Sequence, residues 1–127
     1  MRFHDFHLAG YTVSDFGGTI VFDLVYDYPR QPPKTSRIKF SDVAAYHFIH
    51  TGGAIILDIA ELPLAELLQQ VGDQLAEWWR LHRGFAHWSD DRAKYLATLE
   101  QEGYHAWTID SAVGFEGFVI AKSVAEG

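Results

Sequence analysis

Residues 19–28, TIVFDLVYDY, alternate in character: Ile20, Phe22, Leu24, Tyr26 and Tyr28 fall on one side, Thr19, Val21, Asp23, Val25 and Asp27 on the other. A period of two is the mark of a half-buried β-strand. The preceding RFHDFHLAGYTV predicts a less regular strand, and SDFGG between them is turn chemistry, with Gly17 and Gly18 able to take positive φ. The two strands together predict an opening hairpin. Beyond the proline-rich loop YPRQPPKTS, residues 28–36, the segment RIKF turns Ile38 and Phe40 inward and Arg37 and Lys39 outward. If it pairs with residues 19–28, Asp23 and Asp27 face those cations across the ladder.

The phase of the pattern shifts at Ser41-Asp42, which predicts a bend or bulge. In AAYHFIHTGGAIILDI two apolar runs flank a short glycine-containing segment, and this predicts a second hairpin turning at residues 51–53. Both faces of residues 43–60 are largely apolar, so these strands are expected centrally in a sheet or under a covering layer.

From Leu62 the period lengthens. Leu64, Leu67, Leu68, Val71, Leu75, Trp78, Trp79 and His82 fall within an arc of about 120° on a helical wheel, with Gln69, Gln70, Asp73, Glu77, Arg80 and Arg83 opposite. Pro63 suits a first helical position and Gly84 a left-handed stop. Glu61 and Glu66 near the start, with Arg80, His82 and Arg83 near the end, complement the helix dipole. Ser89 is the expected N-cap of a second helix, with Asp90 and Asp91 in its first turn, Tyr95, Leu96 and Leu99 buried, and Gly103 ending it. The tail returns to strands: YHAWTID alternates, and GFVIAKSV follows a bend at VGFEG. The order of five strands, two helices and two strands predicts a single α+β domain over residues 1–127, a mostly antiparallel sheet with both helices packed on one face.

Composition narrows the function classes. The chain is 48% hydrophobic and 15% aromatic, far from the polar, aromatic-poor profile of disorder, and 127 residues suffice for one core. Lys plus Arg number 10 against 17 Asp plus Glu, a net charge of −7, and no basic run offers a track for phosphates; nucleic acid is not an expected partner. The longest apolar runs fall well short of the ~20 residues that span a bilayer, which predicts a soluble chain without a membrane. MRFHDFHLAG has no continuous apolar stretch and does not read as a signal peptide. Zero cysteine removes disulfides, thiol nucleophiles and Cys-based zinc sites, and suits a reducing cytoplasm.

Several tempting motifs have plainer readings. His47 and His50, like His4 and His7, are three apart, a spacing that converges on a helix but points to opposite faces of a strand. No metal site and no cofactor is therefore expected. Gly52-Gly53 joins two strands, whereas a phosphate loop needs glycines between a strand and a helix. DFGG matches the kinase tripeptide by chance, since the companion motifs are missing, and Glu116 in GFEGF stands where a nucleophile would be needed.

The densest chemistry lies in WWRLHRGFAHWSDD, residues 78–91, at the joint between the two helices. His82 or His87 with Asp90 or Asp91 makes a candidate acid–base pair, because a carboxylate raises and orients an imidazole. The plainer reading places Trp78, Trp79 and His82 on the core stripe and the aspartates in a helix first turn. As a surface for a partner, the candidates are Trp79, Arg83, Phe85, His87 and Trp88. Nine Phe, six Tyr and four Trp in so small a chain point the same way, toward a protein partner or a homo-oligomer.

The succession of F-H-D near the start, I-K-F-S-D-V, I-L-D-I-A-E-L and the terminal F-V-I-A resembles small uncharacterised bacterial proteins of the polymorphic-toxin immunity type. The resemblance covers about half of the chain, mainly residues 3–60 and the last strand, on structural motifs that carry over no functional residue. It implies a cytoplasmic, non-enzymatic protein that sequesters another protein. A protein-binding or self-associating module is accordingly the leading expectation. A small hydrolase or ligand-binding protein with its cleft near His82, His87, Asp90 and Asp91 is the alternative.

Overall fold

In the computed structural model, which describes residues 2–127 apart from the side chains of Arg2 and Leu57, strands come first, then two helices, then a final strand. The elements are β1 (Arg2–Ser14), a 3-10 turn (Asp15–Gly17), β2 (Thr19–Tyr26), β3 (Lys34–Leu62), α1 (Leu64–His82), α2 (Arg92–Gln101) and β4 (His105–Glu126). The sheet is antiparallel, in the order β1-β2-β3-β4, and β1 pairs also with β3. The expected α+β architecture is the one observed.

The opening hairpin and the strand beyond the proline loop pair as expected except at Asp27, which lies past the end of β2 and, among the described residues, faces no cation across the ladder; Lys39 stands opposite Val21 instead. Ile20, Phe22 and Leu24 are buried, Asp23 stands opposite Arg37, and the Arg37 Nε donates to Asp23 Oδ1 at 2.9 Å. The expected bulge near Ser41-Asp42 is present: Val43 opposes Ala121 but Ala45 opposes Ile120, leaving Ala44 over, and Asp42 takes a φ of 54°.

The second hairpin does not form. Residues 45–50 and 55–62 both pair with β4 and continue as one strand, as do the two strands expected after α2. His50 opposes Phe115 and Ile55 opposes Val113, so the intervening Thr51-Gly52-Gly53-Ala54 is a bulge and not a turn. Gly114 supplies the conformation this bulge needs. Its φ is 81°, and a Cβ there would fall on the Gly53 carbonyl oxygen.

Because β3 is long and bent, its first half pairs with β2 and its second half with β1, and the sheet curls toward a barrel. Inside the curl lies one core, with Phe22, Phe40, Ile56, Ile59, Trp107 and Phe115 among its members. The helices cover the outer face of β3 and β4 with a second core built on Leu67, Leu68, Leu75, Tyr95, Leu99 and Ile120. This explains apolar residues on both faces of residues 43–60: each face has its own core. It also absorbs most of the aromatic side chains, each worth about 1.5–3 kcal/mol when fully buried.

Both helices follow their sequence signals, with three shifts. Pro63, expected at the first helical position, is the N-cap of α1, with a ψ of 137° outside the helix. His82 closes α1 in an exposed position instead of completing the buried stripe, and Trp78 and Trp79 are half-buried. The cap of α2 is Asp91, whose side chain accepts from the Lys94 N–H at 3.2 Å, while Ser89 Oγ accepts from the Asp91 N–H one step earlier. Gly103, at φ 85°, ends α2 as expected. Among the described residues, no helix is long and apolar enough to cross a membrane.

Candidate functional site

A groove of about 780 Å³ opens where the hairpin tip, the middle of β3 and the joint after α1 approach one another. Its first wall is the β1–β2 tip. Asp15, Phe16 and Gly17 take φ values of 53°, 56° and 90°, a left-handed run that is costly for the two residues with a Cβ. The tip is held by the Gly18 N–H donating to Asp15 O at 3.0 Å and Thr19 Oγ1 donating to Asp15 Oδ2 at 2.6 Å. Gly18 O accepts from the Val43 N–H at 3.0 Å, tying the tip to β3. The result is a fully exposed Phe16 ring at the groove rim.

The opposite wall is built from the tryptophan-rich segment. Trp79 stacks with Phe85 at 6.4 Å and with Trp88 at 5.8 Å between ring centroids, and the Arg83 guanidinium lies 5.5 Å above the Trp79 ring. Arg83 at φ 60° and Gly84 at φ 96° turn the chain out of α1, after which the Ala86 N–H donates to Ala44 O at 3.0 Å. Trp79, Arg83 and Phe85 line the groove, while Trp88 lies beneath them against Tyr95, at 4.9 Å.

The acid–base candidates are not brought together. His82 is exposed at the end of α1, and His87, at φ 63°, has its Nε2 3.3 Å from the Tyr104 hydroxyl. Asp90 Oδ1 accepts from the Trp88 indole N–H at 3.2 Å, and Asp91 is spent on the α2 cap. No ion pair joins either histidine to either aspartate among the described residues, and none of the four lines the groove. Burial raises the Tyr104 hydroxyl above its ordinary pKa, with the Asp42 and Glu102 charges adding to it.

His47 and His50 sit in different surroundings, as strand spacing requires. His47 stacks on Trp78 on the helix side, where burial pushes its imidazole below the ordinary value. His50 packs beside Tyr11 at 5.8 Å and Phe115 at 5.3 Å. His4 Nδ1 meets the adjacent Asp5 at 2.9 Å, and His7 lies against Tyr28. Among the described residues, no three His, Asp or Glu side chains are grouped to hold a metal ion.

Two parts of the groove carry no mark as a site in the sequence: Tyr11 and Val13 on β1, and Phe16 at the tip. Phe16 did leave a signal, a bulky aromatic inside a turn where polar residues are usual. The floor was marked only indirectly, by His47 in a histidine pair weighed for metal and by the apolar faces of residues 43–60.

In comparison with known proteins, the chain matches no family model, no curated sequence and no solved structure.

Proposed function

We propose that this chain is a non-enzymatic protein-binding module that seats its partner in the groove between the hairpin tip and the α1–α2 joint. The observation that carries the reading is Phe16, a fully exposed aromatic ring held on left-handed backbone at the groove rim. An apolar ring in water and a residue with a Cβ at positive φ are both unfavourable on the free chain, and such paired costs concentrate where a surface is kept for binding. Trp79, Arg83 and Phe85 across the groove are of the residue types that anchor interfaces.

The net charge of −7 favours a basic partner and accelerates its encounter, and it disfavours nucleic acid. The absence of cysteine fits a cytoplasmic setting, and the likeness to immunity-type proteins fits sequestration of another protein. An acid–base enzyme is the weaker reading, since His87 neighbours Tyr104 and Asp91 serves as a cap.

Affinity capture from native lysate, with the recovered complex weighed by light scattering, tests the proposal. A foreign protein in fixed stoichiometry supports it. Recovery of this chain alone overturns it.

A further inference from the structure

The groove floor is an unpaired sheet edge. Between the segment of β3 that pairs with β2, ending at Ser41, and the segment that pairs with β1, beginning at Ile55, the strand is bonded to β4 on one side only. Apart from the β4 ladder, the described backbone bonds to this stretch are two, both at its near end: Val43 N–H to Gly18 O and Ala86 N–H to Ala44 O. Residues 43–48 line the groove consecutively, although alternate side chains of a strand point to opposite faces. Tyr46 and Phe48 pack into the inner core while His47 stacks on the helix side. The bulge at Ala44 accounts for residues 43–45 in succession; beyond it Tyr46, His47 and Phe48 reach the groove from alternate faces, as they do along an edge seen side-on.

We propose that the partner enters as an extended segment that adds a strand to this edge. The inference rests on the protein-binding reading and names its mode. In an antiparallel ladder every second residue of β3 directs its N–H and C=O away from β4, so residues 45–50 offer an alternating row of donors and acceptors that an extended backbone satisfies. An exposed edge of this kind is normally covered or blunted by charge or proline. Here it carries neither, and it is recessed between Phe16 and the Trp79–Phe85 wall.

The recess selects the occupant. The edge of another folded sheet, or a second copy of this chain, brings neighbouring strands and helices that collide with walls rising on both sides. A single unfolded segment does not. Its alternate side chains meet apolar surface, Tyr11 and Val13 on one flank and Trp79 and Phe85 on the other. Asp15 at the rim, on a chain of net charge −7, favours a basic residue at the end of the segment that lies near the tip.

The test uses the whole chain and a phage-displayed library of linear peptides of about ten residues, long enough to span the free edge at ~3.3 Å per residue. The expected selection has apolar residues at alternate positions and a basic end. Methylating the peptide nitrogens one at a time is expected to weaken binding about tenfold at every second position, with little effect between, since each lost backbone bond is worth roughly that factor. On binding, alternate amides within residues 45–50 are expected to slow in hydrogen exchange. Losses without a period of two, or no change in exchange along residues 45–50, overturn strand addition. So does a library that yields no binder. If lysate capture still recovers a stoichiometric protein in those cases, the binding-module reading stands with a folded surface as the partner; if it recovers none, both fall.

Discussion

The imidazole of His47 lies nearly flat on the indole of Trp78, with centroids 4.0 Å apart and planes 19° from parallel. Burial holds this histidine below its ordinary pKa of 6.5, so the unfolded chain takes up its proton first as pH falls. Stability is unaffected by the group above pH 6.5, declines as pH falls from 6.5 toward the depressed value, and loses nothing more below it. His47→Gln keeps a flat polar group on Trp78 without the titration. Urea denaturation at about pH 7.5 and about pH 5.5 is expected to show a smaller acid loss for the variant than for the wild type. Equal losses would remove His47 as a source of pH dependence.

Gly114 and Gly52 make opposite predictions about the bulge. Gly114→Ala places a Cβ on the Gly53 carbonyl at a φ of 81°, and is expected to cost about 2 kcal/mol or more. Gly52 has open space around its missing Cβ and is not among the glycines at positive φ, so Gly52→Ala is expected within about 0.5 kcal/mol of the wild type. A hairpin turn at residues 51–53 would reverse this order, which chemical denaturation of the two variants decides.

The N-terminus of α2 is capped by Asp91. Asp91→Ala is expected to cost about 1 kcal/mol and Ser89→Ala only a few tenths, because Asp91 binds an N–H inside the helix and Ser89 binds one before it. Thermal unfolding that ranks Ser89 above Asp91 would return the cap to the earlier residue.

The Tyr95 hydroxyl is buried without a hydrogen-bond partner among the described residues, and burial raises its pKa well above the ordinary value. Tyr95→Phe removes that hydroxyl from an apolar setting, and is expected to be neutral or to stabilise by up to about 1 kcal/mol. A loss of that size would mean that the oxygen is satisfied in solution.

Local periodicity made β2, α1 and α2 legible: Ile20, Phe22 and Leu24 are buried at period two, and Leu64, Leu67, Leu68 and Leu75 on a helical stripe. Thr51-Gly52-Gly53 misled because a glycine-containing break between apolar runs is common to a turn and a bulge. What separates them is the partner strand, and β4 lies some sixty positions further on. The aromatic stack of Trp79, Phe85 and Trp88 was legible as a cluster, since its members are close in sequence. The groove was not, because Tyr11, Phe16, the β3 edge and Phe85 meet only through the curl of the sheet.

The most direct measurement is the affinity of the captured partner for the wild type and for Phe16→Ser, with thermal unfolding of both chains recorded alongside. The exposed ring contributes little to the fold, so the two melting temperatures are expected to agree, while binding weakens at least about thirtyfold, the scale of an interface anchor. Unchanged affinity at unchanged stability would contradict the account, since the partner would then bind elsewhere than in this groove.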